Sequence, residues 1–437
     1  MTREMKNSGV EWIGKIPVDW KTTKLKNVIT FLNGYAFDSR ELSNEGEYPV
    51  IRIGDIVNGE IDFINTNKTN TCNEVIEKFT IKENDILIAM SGATVGKTGV
   101  AHNVPHKSFI NQRVGIIRSE TNSYVYHYLN NGEFIKYILL LSVGSAQPNI
   151  STENIYNYYI PAPTLTEQKR IADFLDSKVT EIDKIISETK ASIENYKEYK
   201  QSVITEAVTK GLDKNVPMKD SGVEWIGDIP SEWEIIKLKK TFSFGKGLPI
   251  TKENLIESGI PVISYGQIHS KKNTGTSVNE HLIRYVEDTY VNTNPNSLVS
   301  TGDIIFADTS EDLDGCGNCV YVDVDYPLFA GYHTIILRSS QDDNKYYSYL
   351  FKTDCWRSQI RSRVTGIKLF SVTQKILKEI TIIQPPEKEQ IRIAEILDRK
   401  CAKIDNIIKT KEILITNLEE YKKSLIYEYV TGKKAVE

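Results

Sequence analysis

Met5 to Trp20 reads MKNSGVEWIGKIPVDW, and Met218 to Trp233 reads MKDSGVEWIGDIPSEW. The two stretches lie 218 − 5 = 213 residues apart and differ at few positions. A second pair closes each half: PTLTEQKRIADFLD from Pro163 to Asp176, and PPEKEQIRIAEILD from Pro385 to Asp398. Here the offset is 385 − 163 = 222, so the second middle is longer by a net 222 − 213 = 9 residues. A chain that keeps its frame and varies its middles holds two similar modules that read two different things.

A period above 200 residues is far longer than the 20–50 of a solenoid repeat, so each repeat holds a whole domain. The 437 residues also exceed what one core can serve. Charged residues make up 26% and hydrophobic ones 40%, an ordinary globular balance. The net charge of −4 leaves no global basic field, which argues against promiscuous polyanion binding but allows a local basic groove. Five cysteines at irregular spacing do not make a disulfide framework. The opening MTREMKNSGVEW lacks an apolar leader core, and the longest aliphatic run, Ile138 to Leu141, falls far short of a membrane span. The expected setting is soluble and cytoplasmic.

The middles read as mixed α/β. Short β-branched runs bounded by Gly, Asn and Asp predict strands within Tyr48–Asp55, Asp85–Gly92 and Val114–Arg118. The second middle repeats them within Ile260–Gly266, Gly302–Ala307 and His333–Arg338. Aromatic, helix-compatible stretches follow at Tyr124–Leu140 and Asn344–Ile360. Trp12, Trp20, Trp225 and Trp233 are expected to anchor the repeated opening against a domain core rather than to stack on a ligand.

Each half then ends in a long helix. Leu175, Val179, Ile182, Ile186, Thr189, Ile193, Tyr196, Lys200 and Val203 alternate steps of four and three. Leu397, Cys401, Ile404, Ile408, Lys411, Ile415, Leu418, Lys422 and Leu425 repeat the pattern 222 residues on. Sustained heptads predict a coiled coil, with starts at Thr166 and Pro385-Pro386 and stops at Gly211 and Gly432. About 40 residues at about 1.5 Å each make a rod of roughly 60 Å. Helices whose patterns start and stop in step are expected to pair antiparallel, giving a pseudo-twofold, nearly circular arrangement.

Taken together, the doubled Gly-Val-Glu-Trp-Ile-Gly…Ile-Pro…Trp start, the Pro-x4-Gln…Ile-Ala…Leu-Asp…Ile-Asp helix openings and the alternation of variable middle and helix resemble the specificity subunit of type I restriction–modification systems. Gly144-Ser-Ala-Gln-Pro-Asn-Ile-Ser151 is also similar to that family's recognition domains. The resemblance implies target recognition domains at 1–162 and 213–384 and spacer helices at 163–212 and 385–437. It implies no catalysis in this chain. Each recognition domain would read one half of a split, asymmetric double-stranded DNA target. The spacer would set the gap and dock two methyltransferase subunits, which bring S-adenosylmethionine and adenine-N6 methylation. Two motor-nuclease subunits can join, bringing ATP, magnesium and cleavage. Half-sites about one helical turn apart, roughly 34–36 Å, suit such a rod.

Base edges in the major groove call for Arg, Lys, Asn or Gln, and phosphates for Lys, Arg, Ser and Thr. In the first middle this selects Lys97 and Thr98 in a small-residue loop, Gln112 and Arg113 before a strand, and Ser145 and Gln147 in the family-like loop. In the second it selects Lys271 and Lys272, and the basic cluster Arg357, Arg361, Arg363 and Lys368 beside Trp356. Each has a structural competitor: a turn, a strand edge, or cations suited to a helix end. His333 reads as structural. The spacer core is assigned to Leu175, Val179, Ile182, Ile186, Ile193, Leu397, Ile404, Ile408, Ile415 and Leu418.

Some motifs point to an enzyme and fail on spacing. Gly92-Ala-Thr-Val-Gly-Lys-Thr98 is one residue short of a phosphate-binding G-x4-G-K-[ST] loop. Cys316-Gly-Asn-Cys319 lacks the second pair that zinc needs, and Pro105 disrupts a His102/His106 helix pair, so no metal site is expected. The rival from another class is a non-catalytic adhesion or scaffold protein that oligomerises through its helices.

Overall fold

The computed structural model describes residues 3–141, 148–339, 344–366 and 368–436. It is a mixed α/β chain with two long helices, as the patterning predicts. Contacts divide it into two compact units, Met1–Lys190 with Lys411–Glu437, and Ala191–Thr410. Each long helix therefore contributes one segment to each unit.

Both units contain the repeated segment, folded the same way. In the first, Met5–Asn7 pairs antiparallel with Lys15–Pro17, and Ser8 N donates to Gly14 O at 2.9 Å across the turn. In the second, Met218–Asp220 pairs with Asp228–Pro230. Trp20 and Trp233 are fully buried, and their indole N–H groups donate to Glu167 Oε2 (3.0 Å) and Glu389 Oε2 (2.8 Å). Burial of an indole usually comes with such a partner. Trp12 stacks on Tyr158 at 5.3 Å, and Trp225 is half-buried against the second unit's core.

The first unit's largest sheet runs, in spatial order, Ile29–Asn33, Val114–Ser119, Ile86–Ala89, Thr98–Val100, Glu60–Ile61 and Ile56–Val57. The matching sheet of the second unit runs Phe242–Lys246, Thr334–Ser339, Ile304–Ala307 and Cys319–Tyr321. The central strands are continuous apolar runs because both faces are covered. Ile86 and Ile88 enter one core, while Leu87 and Ala89 enter another on the opposite face. Ile304 and Phe306 against Ile305 and Ala307 repeat that division. Period-two alternation thus joins two cores in each unit.

The aromatic stretches after these sheets are each two helices rather than one. Asn122–Leu129 and Glu133–Leu141 are separated where Gly132 takes φ +91°. Lys345–Phe351 and Asp354–Arg361 are separated at Thr353, whose hydroxyl accepts from Trp356 N. Short helices at Thr152–Asn157 and Gln374–Glu379 follow, capped by Ser151 and Thr373.

The long helices span Leu165–Lys210 and Glu387–Val430. The first begins before the expected Thr166, because Thr164 Oγ1 accepts from Glu167 N and supplies the cap. Gly211 (φ +79°) and Gly432 (φ +72°) follow their ends in the left-handed conformation that terminates helices. In the first unit the two segments run antiparallel, with Phe174 against Tyr429 and Asp183 Oδ1 accepting from Lys422 Nζ at 2.6 Å. In the second unit Asp405 takes Lys200 Nζ at 2.6 Å. Leu175, Ile182, Ile186, Ile193, Leu397 and Ile404 are buried, whereas Val179, Ile408, Ile415 and Leu418 are half-buried. No helix of the described residues is long and apolar enough to cross a membrane.

Candidate nucleic-acid interface

Three backbone segments converge at one end of each sheet. In the first unit, Asn111-Gln112-Arg113 leads into the Val114–Ser119 strand. Met90 N, just past the neighbouring strand, donates to Arg113 O at 2.8 Å. Ile150 N donates to Met90 O at 2.9 Å, and Ser91 forms a bridge with Asn149. Met90, Ser91, Gln112, Arg113, Pro148 and Asn149 line the resulting cleft of about 280 Å³.

The second unit repeats these bonds with other side chains. Asp308 N donates to His333 O at 3.0 Å, Val372 N donates to Asp308 O at 2.7 Å, and Thr309 pairs with Ser371. Tyr332 and His333 therefore occupy the places of Gln112 and Arg113. A glycine lies under each loop. A Cβ on Gly34 would meet Asn111 O at 2.0 Å, and one on Gly247 would meet Gly331 O at 1.9 Å. No side chain fits there, so the loop is held directly on backbone.

The structure sorts the sequence-selected residues. Gln112 and Arg113 are exposed in the cleft. Lys97 is half-buried, and its carbonyl accepts from Ala89 N at 2.9 Å. Thr98 does not face solvent: it is 3% exposed, and its hydroxyl accepts from Asn130 Nδ2 at 2.8 Å. It is a strand residue tied to a helix end, not a phosphate donor. Ser145 and Gln147 lie outside the described residues, while Pro148 to Ser151 just beyond them form the cleft wall and a helix cap.

Lys271 and Lys272 are exposed, and Lys272 Nζ stands 3.4 Å from His281 Nδ1. The basic cluster divides. Arg357 is turned inward, donating to Asn318 Oδ1 at 2.7 Å, to Cys316 O at 3.3 Å and to Asp314 O. Burial lowers its pKa, yet an arginine stays charged, so it serves as a fixed cationic brace for the 309–318 loop. Arg361 pairs with Asp354 Oδ1 at 2.6 Å. Arg363 and Lys368 are exposed. Trp356 is buried 4.3 Å from the Phe351 ring, so it is core and offers no stacking platform.

Sequence reasoning missed the surface that the brace supports. The 309–318 loop carries Glu311, Asp312 and Asp314 beside a cavity of about 550 Å³ with Tyr265 and His269. His269 uses both ring nitrogens, one on Thr309 O at 2.8 Å and one on Asn318 Nδ2 at 2.9 Å. A usable signal existed: Val114-Gly-Ile-Ile-Arg118 and Thr334-Ile-Ile-Leu-Arg338 align at an offset of 220, which places His333 on Arg113. Burial pushes the Cys319 thiol up to about 12, and that of Cys316 up as well. Neither is disposed to act as a thiolate.

One repeated frame that carries different side chains at equivalent loop positions defines a tandem two-module protein. The type I restriction modification DNA specificity domain matches residues 17–195 and again 230–417, and the chain belongs to that family. Family membership decides against the adhesion reading. Over 96% of this chain and 94% of the relative, it is 25% identical to the type I restriction enzyme MjaVIII specificity subunit of Methanocaldococcus jannaschii. It is 24% identical to the EcoKI specificity subunit of Escherichia coli K12, over 96% and 90%. A chain from a solved type I R-M system assembly shares the fold at TM-score 0.69 and 14% identity, covering 96% of this chain and 99% of that one. The HsdS subunit of Thermoanaerobacter tengcongensis does so at 0.52 and 14%, covering 96% and 98%.

Proposed function

We propose that each unit reads one half of a split DNA target through the loops at the end of its sheet. The observation that carries this is the pair of equivalent loop frames. The same backbone bonds present Gln112 and Arg113 in one unit and Tyr332 and His333 in the other. Equal frames with unequal side chains suit a target whose halves differ in sequence. Gln112 and Arg113 are the side-chain types that read adenine and guanine in the major groove. Arg363 and Lys368 are exposed cations suited to phosphates.

In this reading the chain performs no chemistry itself. It positions partner methyltransferase subunits, with S-adenosylmethionine, over an adenine in each half-site, and the partner flips the base out to reach it. Two motor-nuclease subunits would add ATP, magnesium and cleavage. The long helices set the gap and carry these partners in the cytoplasm. Titrating the full chain, assembled with its methyltransferase, onto duplexes at several salt concentrations tests this. Sequence-selective binding that weakens linearly in log–log form with salt is expected. Equal affinity for all duplexes would overturn the reading.

A further inference from the structure

At the position where the first unit presents the Arg113 guanidinium, the second presents an imidazole. We infer that His333 determines specificity in the second unit, contacting a base edge through Nε2 while Asp308 holds Nδ1. This rests on the DNA-reading function proposed above and names the residue that performs it in one half-site.

His333 stands in an oriented but open setting. Its Nδ1 lies 3.3 Å from Asp308 Oδ1 and 3.5 Å from Thr309 Oγ1, and that hydroxyl donates to Asp308 at 2.7 Å. The Tyr265 ring meets the imidazole edge-on at 5.3 Å, and Tyr332 flanks it at 6.0 Å. One nitrogen is thus fixed from within, and the side chain remains 58% exposed. The first unit has Met90 where Asp308 stands, so the orienting carboxylate accompanies the imidazole.

The nearby His269 shows what a structural histidine looks like in this fold. Both of its nitrogens are bonded inside the protein. Among the described residues, His333 commits only one. Its backbone takes φ +55°, a left-handed conformation in which His, with Asn and Asp, is among the enriched side chains. An exposed imidazole with one nitrogen pinned from within offers its other nitrogen as a single hydrogen-bonding point suited to one base in a groove.

The test uses the methyltransferase complex of the full chain with His333→Gly, which removes the imidazole and relieves the backbone. Binding is measured across duplexes varied singly through both half-sites. About tenfold loss of discrimination at one base pair of the second half-site is expected, with the first half-site unchanged. His333→Arg should move the preference at that same base pair toward guanine. Unaltered discrimination throughout the second half-site in His333→Gly, or equal weakening on every sequence, overturns the inference. If the unsubstituted complex shows no sequence selectivity, the DNA-reading function itself fails.

Discussion

Tyr349 donates its hydroxyl hydrogen to Asp398 Oδ1 at 2.6 Å, and Lys345 Nζ takes the other carboxylate oxygen at 2.9 Å. The bond fastens the Lys345–Phe351 helix of the second recognition domain to the second long helix. Asp176, 222 residues earlier, does the same for the first. It accepts from Ser123 Oγ at 2.8 Å and stands 2.7 Å from His127 Nε2. The Leu-Asp of the helix-opening motif is therefore a fastening point, with Leu175 and Leu397 buried beside it.

Asp398→Ala should destabilise the second unit by about 1–3 kcal/mol, since it strands the buried Tyr349 hydroxyl. Tyr349→Phe, which removes the donor as well, should cost about 1 kcal/mol. Denaturant unfolding of the full chain measures both, and an equal cost for the two contradicts the fastening.

Acid should act on the first fastening through Asp176. Burial pushes that carboxyl up, but the bonds from His127 and Ser123 outweigh it, and its pKa lies below the usual aspartate value. A lowered pKa gives stability above the unfolded-state value that is lost as pH falls through the folded one. The stability gap between the unsubstituted protein and Asp176→Asn should therefore be constant at neutral pH and narrow below about pH 4. Unfolding midpoints between pH 2 and 7 check this, and a gap that widens in acid contradicts it.

Gly34→Ala should disturb the first half-site alone, and Gly247→Ala the second alone. Each new methyl would collide with the backbone carbonyl that carries its reading loop. Overpacking of this kind costs about 1–3 kcal/mol and moves backbone. Half-site mutational scans of the bound duplex report which loop has shifted.

The second unit's cations should separate by role. Arg357→Ala removes three bonds to the 309–318 loop and should cost about 1.5–3 kcal/mol of stability. Arg363→Ala and Lys368→Ala should leave stability within about 0.5 kcal/mol. Each should instead lower the salt slope of DNA binding by about 1.

The frame was legible because its contacts are local or doubled. Gln168 Nε2 donates to Pro163 O at 3.0 Å and Gln390 Nε2 to Pro385 O at 2.8 Å, so Pro-x4-Gln is one helix start written twice. The strands were legible as apolar runs, and the spacer as heptads. The reading surface was less so, because distant partners decide whether a polar side chain is free. Thr98 looks available until Asn130 is placed on it, and Arg357 until the loop about 40 residues upstream folds under it. His333 looks structural until it is seen to be exposed, with only Nδ1 bonded among the described residues.

The central claim is that unlike side chains on one repeated frame direct methylation to a split target. Mapping N6-methyladenine across a genome that carries the methyltransferase, with and without this chain, tests it most directly. The account predicts one asymmetric two-part motif that is methylated only when the chain is present. An unchanged methylation map, or a lost motif that is continuous or symmetric, would contradict it.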